Sequence, residues 1–540
     1  MSGAKRVELG DFNVHPRMLL IAAWALPVGA LGAAAAYVLL GLIGLTTNLV
    51  FYQRFETSLI APGATHHPWL LVLLAPVVGG LVIGLMARYG SEKIRGHGMP
   101  EAIESILIGG SRIEPKVAVL KPISAAISIG SGGPFGAEGP IIMTGGAIGS
   151  ILAQHLRLTA DERKTLLVAG AAAGMAATFN SPLAAVLLAV ELLLFEWRPR
   201  SFVPVVAAVA VATVVRGPLI GVGAIFPVPH ADVHIAWTAE TLSVLVGLSG
   251  AFVALGATWL VYFAEDLFRR LPMHWMWWPA IGGLVIGLGG LVEPRALGVG
   301  YDVIDQLLTG HATTGLIVGI LVVKTLIWSL SLGSGTSGGV LAPIFMIGGA
   351  LGAALGLVLP DVFPGFWAML GLAAVVGGVM RSPLTGVVFT LELTHAWDAM
   401  LPLLIASSTA YAVSVLVLQR SVLTEKIARR GLHLTRDYST DPLETFFASE
   451  VMSTTPEAMA VARGLATDGG HHVVGERDTL RHVAYVFAEH GHDGAAVLDE
   501  TGDVVGHIDV QSLLVARRHD LTEATEREQV FTRPLGLSRR

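Results

Sequence analysis

The 540-residue chain has no cysteine, which excludes disulfides, thiolate metal sites and cysteine nucleophiles and leaves its redox compartment unread. It is also poor in charge. Only 14% of its residues are Asp, Glu, Lys or Arg, against about 25% in soluble domains, too few to clothe an ordinary water-facing surface. Strong basicity is missing too: a net charge of −6 over this length offers nucleic acid no footprint. No cleavable leader is expected, because the opening residues carry both signs and the apolar run from Met18 to Val50 is too long for a signal-peptide core. What the chain has in abundance is hydrophobic side chains, 53%, at a mean hydropathy of +0.66, together with 64 glycines and 27 prolines. Its charged residues crowd beyond Arg420. The pattern is a long apolar body with a soluble tail.

A straight membrane span needs about 20 apolar residues. After Met18–Val50, apolar stretches lie at 68–87, 115–130, 140–156, 165–195, 203–229, 241–264, 276–293, 314–332, 339–359, 364–379, 383–393 and 399–418. Several are short, and glycine or proline interrupts most of them. This predicts tilted, broken or half-crossing helices. Irregular backbone at membrane depth is tolerated only where it is buried in protein or lines a wet cavity, which suits a transport protein better than an anchor.

The body repeats itself. Lys121–Pro140 (KPISAAISIGSGGPFGAEGP) aligns with Lys324–Pro343 (KTLIWSLSLGSGTSGGVLAP) at an offset of 203, sharing the lysine, a Gly-Ser-Gly, a later glycine and the final proline. Ser181-Pro182-Leu183 with Val186, Glu191 and Leu192 aligns with Ser382-Pro383-Leu384 with Val387, Glu392 and Leu393 at an offset of 201. Duplicated halves with paired interrupted helices mark a transporter-like architecture whose site lies at the repeat interface. Counting spans along the sequence does not decide whether the halves are inverted. Lys121 and Lys324 are expected to snorkel or to pair at the domain edge.

Three segments place glycines just ahead of a proline where a helix would begin: Gly96-His97-Gly98-Met99-Pro100, Gly136-Ala137-Glu138-Gly139-Pro140 and Gly338-Gly339-Val340-Leu341-Ala342-Pro343. Glycine lets backbone approach closely, and proline in a first turn wastes no donor. Free N–H groups and the positive dipole end would then face the loop, and several such ends together would hold an anion without a buried cation. The bland alternative is that these segments only kink helices. Glu138 is the residue of most interest, since a carboxylate at membrane depth costs several kcal/mol unless paired or neutralised. Ionised, it would occupy the anion's own place; protonated, it would leave. The competing reading makes it a cap at an aqueous edge.

These residues resemble the CLC family of chloride channels and proton/chloride antiporters. The strings are GHGMPE (96–101), GAEGP (136–140), GAAAGMAATFNSPLAAVLLAVE (170–191), GGVLAP (338–343) and GVMRSPLTGVVFTLELT (378–394). The resemblance implies a homodimer with one pore per subunit, each subunit built of two inverted-topology repeats. It makes Glu138 the gating and proton-carrying glutamate, flanked by Gly136, Ala137 and Gly139. It makes the amides of Val340 and Leu341 central anion ligands, with His97, Gly98 and Met99 opposite. This chain also departs from the family. His97 stands where serine or proline is usual, and its imidazole either donates or titrates at the site or faces the vestibule. Leu423 stands in place of a tyrosine, and Ala137 replaces a common Lys or Arg. Leu192 occupies the position of the antiporters' internal glutamate, as in the channels, so a proton route would start from Glu196 or His97. Glu191 is expected to serve structurally at a helix end, since Glu392 is its repeat partner.

The expected fold is therefore an all-α polytopic membrane protein, CLC-like, with two inverted repeats of broken helices and a small α/β CBS-like cytoplasmic domain. The expected bounds are an N-terminal tail at 1–16, a transmembrane domain at 17–431 (halves about 17–230 and 240–431), a linker at 432–449, one CBS-like module at 450–520 and a tail at 521–540. A single such module would find its pair across the dimer. Asp509-Val510-Gln511-Ser512 stands where the module's ribose-contacting Thr-x-x-Asp would be, which argues against nucleotide binding. His471-His472 and His490/His492 are read as solvated surface rather than metal ligands. The function expected is transport of an anion, chloride foremost, by passive channel or proton-coupled exchange. Fluoride or nitrate exchange, or a membrane sensor with the tail as output, is the alternative. No enzymatic activity, and no cofactor beyond the transported anion, is expected. The expected partners are the lipid bilayer, protons and a second copy of the chain, with location in the cell membrane.

Overall fold

Several helices begin where the sequence supplies proline or a side-chain cap. In the computed structural model of the chain, Pro115, Pro182, Pro199, Pro279 and Pro383 each stand in the first turn of a helix, where a missing N–H costs nothing. Thr159 and Glu162 close a reciprocal capping box, the Thr159 amide donating to the Glu162 carboxylate at 2.8 Å. The structure describes residues 16–107, 110–228, 235–429, 446–467 and 472–515, together with Leu443 and Arg518. Apart from Pro16, the expected N-terminal tail lies outside these residues, as do the C-terminal tail, His471 and most of the linker. The chain divides into two compact units, Met1–Thr435 and Arg436–Arg540.

Among its described residues, the first unit consists of helices joined by loops, with an isolated bridge between Gly136 and Gly339. Its first half runs α1 (Arg17–Thr47), α2 (Trp69–Tyr89), α3 (Met99–Leu107), α4 (Pro115–Gly130), α5 (Glu138–His155), α6 (Ala160–Phe179), α7 (Pro182–Leu188) and α8 (Pro199–Ile220). The second half runs α9 (Trp237–Arg269), α10 (Trp278–Val292), α11 (Tyr301–Leu308), α12 (Thr314–Gly319), α13 (Thr325–Gly333), α14 (Leu341–Gly356), α15 (Phe366–Met380), α16 (Pro383–Thr394) and α17 (Met400–Val417), followed by the short α18 (Val422–Ala428). Among the described residues, seven helical segments are long and apolar enough to cross a membrane; α14, α15 and α16 are apolar but shorter. The stretch read as 165–195 is two helices. Asn180 adopts a left-handed conformation at the end of α6, and Pro182 opens α7. The Ala- and Gly-rich α6 and the α15 helix are buried on nearly every face, as helices without a polar side must be.

Equivalent elements of the halves meet each other: α2 packs on α10 and α7 on α16. The contacts are reciprocal down to single atoms. Gly80 lies against the Pro279 carbonyl, and Gly283 lies against the Pro76 carbonyl, each pair related by the same offset of 203. A self-complementary contact of this kind is the mark of a two-fold relation, here inside one chain. Two carboxylates reinforce it. Glu392 accepts from the amides of Leu183 (2.9 Å) and Ala184 (2.8 Å) at the start of α7. Glu191 accepts from Leu384 (3.3 Å) and Thr385 (3.0 Å) at the start of α16. Each half thus caps a helix of the other, and Glu191 holds the helix-end position its repeat partner implied. Glu392→Ala and Glu191→Ala should each lower stability by about 1–2 kcal/mol, read as a fall in the melting temperature of detergent-solubilised protein. Equal melting of variant and wild type would refute this capping role.

Lys121 and Lys324 do not snorkel. Both are fully buried. Lys121 Nζ donates to the carbonyls of Ile94 (2.8 Å) and Gly96 (2.7 Å), and Lys324 Nζ to those of Ala296 (2.9 Å) and Gly298 (2.8 Å). The loops before α3 and α11 turn their carbonyls inward. Their donors are long side chains from further along each half, Lys121 in α4 and Lys324 in the helical turn Ile320–Lys324 ahead of α13.

The second unit carries a three-stranded sheet of β1 (Val473–Gly475), β2 (Gly494–Leu498) and β3 (Val504–Asp509) in that order, β1 parallel to β2 and β2 antiparallel to β3. Helix Leu480–His490 makes the crossover and buries Leu480, Val483 and Phe487 against Val474, Val497 and Ile508. This strand–helix–strand–strand order fits the CBS-like domain read from the tail. Asp509 and Ser512 are spent on each other, the Ser512 amide donating to Asp509 at 2.8 Å and the Asp509 amide to the Ser512 hydroxyl at 3.3 Å. His472 stacks on His492 with ring centroids 3.5 Å apart, and His490 meets His492 edge-on. No group of metal-binding geometry occurs among the described residues.

Candidate functional site

Glu138 opens α5 and Leu341 opens α14, and the two positions are repeat equivalents. Pro140 and Pro343 each follow as the third helical residue, inside the first turn. Just ahead, Gly339 N donates to the Gly136 carbonyl at 2.7 Å and Gly136 N to the Gly339 carbonyl at 3.3 Å. This bridge between the halves brings two helix N-termini face to face, each worth roughly half a positive charge. Glu138 sits between them, fully buried. The Leu341 amide donates to its Oε1, and the amides of Ala342 and of Glu138 itself also face the carboxyl. Oε2 has no hydrogen-bond partner among the described residues. Glycine makes the room: a Cβ on Gly136 or on Gly339 would overlap the carboxyl oxygens.

The third interrupted loop joins the same knot. Gly96 N donates to the Gly335 carbonyl at 3.3 Å, Gly338 N donates to the Gly96 carbonyl at 3.5 Å, and the His97 carbonyl lies against Gly139. Gly98 follows in a left-handed conformation, and buried Met99 starts α3. His97, a buried residue, is among those lining a cavity of about 760 Å³, together with Arg95, Glu101, Tyr262 and Lys426. Lys426 Nζ holds Glu101 at 2.7 Å, and the Arg95 guanidinium lies 4.3 Å from the Trp275 ring centre.

Of the sequence-derived residues, Gly136, Ala137, Glu138, Gly139, Val340 and Leu341 come together around one carboxyl, and His97, Gly98 and Met99 adjoin it through the Gly96 loop. Ala137 and Val340 are each the buried residue just before a helix start. Of the two amides expected at the centre, the one hydrogen-bonded to the carboxyl is that of Leu341; Ala342, which sequence reasoning passed over, faces it as well. Leu423 is buried in the first turn of α18, within the Ser421–Thr424 capping box. A hydroxyl does reach this neighbourhood: Tyr262 of α9 donates to the Val422 carbonyl. Glu196 accepts from Ser201 and pairs with Arg198 and Arg200. Tyr262 and the Glu101–Lys426 pair carried no sequence signal, since each depends on elements far apart in the chain.

Chemically, the arrangement can hold one unit of negative charge. Preorganised amides in a water-poor site offset the several kcal/mol that burying a carboxylate costs, and they would do the same for a small anion standing in its place.

Comparison with known proteins agrees with this geometry. The family model described as "Voltage gated chloride channel" matches residues 79–415. The "H(+)/Cl(-) exchange transporter ClcA" of Klebsiella pneumoniae subsp. pneumoniae is 31% identical over 401 residues, covering 69% of this chain and 82% of that protein. A solved slow cyanobacterial Cl⁻/H⁺ antiporter superposes with a TM-score of 0.65 at 22% identity, over 77% of this chain and 98% of its own. A CLC-type fluoride/proton antiporter does so with a TM-score of 0.63 at 20% identity, over 74% of this chain and 96% of its own. The fold is the CLC fold of two inverted-topology repeats, and the protein is a multi-pass membrane protein. The chain belongs to the CLC family of chloride channels and proton/chloride antiporters.

Proposed function

We propose that the protein transports chloride-type anions across the cell membrane in exchange for protons, with Glu138 serving as gate and proton carrier. The observation that supports this most directly is the Glu138 carboxyl resting on the Leu341 amide between two opposed helix N-termini. An anion and an ionised Glu138 compete for the same donors, so the anion arrives as the glutamate takes a proton and withdraws. Val340, Leu341 and Ala342 would supply amides on one side, and the His97–Met99 loop the approach from the cavity on the other. The relatives named as Cl⁻/H⁺ exchangers support coupling. One residue favours a passive channel instead: Leu192 is buried and apolar where a second, internal carboxylate would help protons across. His97 and Leu423 leave fluoride and nitrate as competing cargoes. The pores would come in pairs, in a homodimer whose cytoplasmic C-terminal modules complete one another, and no cofactor beyond the cargo is required.

Reconstitution into liposomes tests the reading. Under an imposed chloride gradient, an exchanger drives protons uphill, which a pH electrode records. Anion flux without proton movement would reassign the protein as a channel. Vesicles with no anion permeability at all would overturn transport and favour a sensor.

A further inference from the structure

The loop that opens α3 has a twin in the other half, one with no proline to announce it. Carrying Gly96-His97-Gly98-Met99 forward by 202 residues lands on Gly298-Val299-Gly300-Tyr301. Gly96, Gly98, Gly298 and Gly300 all have positive φ, at 73°, 87°, 68° and 81°. Lys121 clasps the first loop by its carbonyls and Lys324 the second. Gly96 N bonds to the Gly335 carbonyl, and Gly298 N bonds at 3.1 Å to the carbonyl of Gly132, the repeat equivalent of Gly335.

The side chains set against the two loops differ. A Cβ on Gly96 would come within 2.7 Å of Lys426 Nζ, whereas a Cβ on Gly298 would come within 2.7 Å of the Pro62 ring. Lys426 is paired at 2.7 Å with Glu101, in the first turn of α3; the equivalent residue of α11 is the buried Val303. The fold thus builds this loop once with an acid–base pair beside it and once with apolar groups. The conformation of the loop does not require the pair.

The pair stands where an anion would approach. Gly96, His97, Glu101 and Lys426 line the same cavity of about 760 Å³, and the His97 carbonyl lies against Gly139 beside the gate. Two other ion pairs have cations at this cavity, Arg269–Glu265 and Lys93–Glu114; those cations are about half exposed, where water and salt screen them. Lys426 and Glu101 keep only 19% and 6% of their side-chain exposure, so their charges act with little screening. An ammonium alone on this path would hold an anion firmly, and a conducting site must also let its ion leave.

We propose that Glu101 neutralises Lys426 so that the anion is not trapped at the Gly96 loop before it reaches the amides at the start of α14. The pair leaves a dipole with its ammonium against Gly96, enough to attract an anion and too weak to keep it. This deepens the reading of the protein as an anion transporter that loads from this cavity, and it rests on that reading.

Glu101→Gln keeps the side chain's shape and uncovers the ammonium. By titration calorimetry in detergent, the variant should bind chloride at least about tenfold tighter, and in proteoliposomes its anion turnover should fall about tenfold. Adding Lys426→Met should return both values to within about threefold of wild type. If the pair merely fastens α18 to α3, Glu101→Gln would leave chloride affinity unchanged or weaken it, and either result overturns the proposal. A tightening that persists in the double variant would overturn it as well. Glu101→Ala also uncovers Lys426 and carries the same test should the glutamine variant not fold. Failure of the underlying reading shows separately, as wild-type vesicles that pass no anion.

Discussion

Glu138→Gln should abolish proton movement and leave anion flux running. The amide side chain keeps the length of glutamate and an oxygen for the Leu341 amide to donate to, so the loops around Gly136 and Gly339 have no reason to rearrange. It cannot take up and release a proton. If Glu138 is the carrier, uphill proton flux under a chloride gradient should fall by about 100-fold or more, into the leak of empty vesicles. The substitution also removes a negative charge standing where the anion stands. Two like charges about 4 Å apart repel by about 4 kcal/mol at an effective dielectric near 20, so halide should bind at least about tenfold tighter in the variant. Titration calorimetry in detergent measures this directly. Proton-coupled flux that survives Glu138→Gln would remove Glu138 from the mechanism, whatever the halide affinity did.

Lys121→Met and Lys324→Met should be among the most damaging single changes elsewhere in the membrane unit. Methionine matches the shape of the lysine stem but leaves two buried carbonyls without a donor, those of Ile94 and Gly96 in one case and of Ala296 and Gly298 in the other. Each unsatisfied group costs about 1–3 kcal/mol, so either variant should lose about 2–6 kcal/mol and melt several degrees lower in detergent. Arginine should not rescue, because its planar fork cannot enter a cage shaped for an ammonium point. Melting within a degree of wild type would mean that the carbonyls find water and that the lysines do not hold the loops.

The readability of this chain follows the physics of each feature. The duplication was legible because close helix packing demands glycine and proline at fixed places, and the 203-residue offset repeats those demands at Gly136/Gly339 and Pro140/Pro343. Glu138 was legible for the opposite reason: a carboxylate in an apolar run has few purposes. The role of Glu191 could be inferred once Glu392 was recognised as its counterpart. The lysines misled because a charge is cheap at a membrane edge, and nothing in sequence announces a cage of inward-turned carbonyls. The Gly298–Tyr301 loop escaped notice because it lacks the proline that marked its three relatives, and Gly-x-Gly is common in a chain with 64 glycines. The hydroxyl of Tyr262 gains meaning only from what the fold sets beside it.

The cross-threading of the halves bears on how the protein can work at all. Transporters built from repeats commonly expose a midplane site to one side and then the other by rocking one bundle against its twin. Here such a motion would have to break the Gly136–Gly339 pair, the Gly96–Gly335 and Gly298–Gly132 bonds, and the carboxylate clasps of Glu191 and Glu392, all in one stroke. At about 1 kcal/mol or more for each bond, that is a large part of what holds a protein folded. If the proposed exchange holds, alternation in this molecule is expected to come from single side chains turning within a stationary frame.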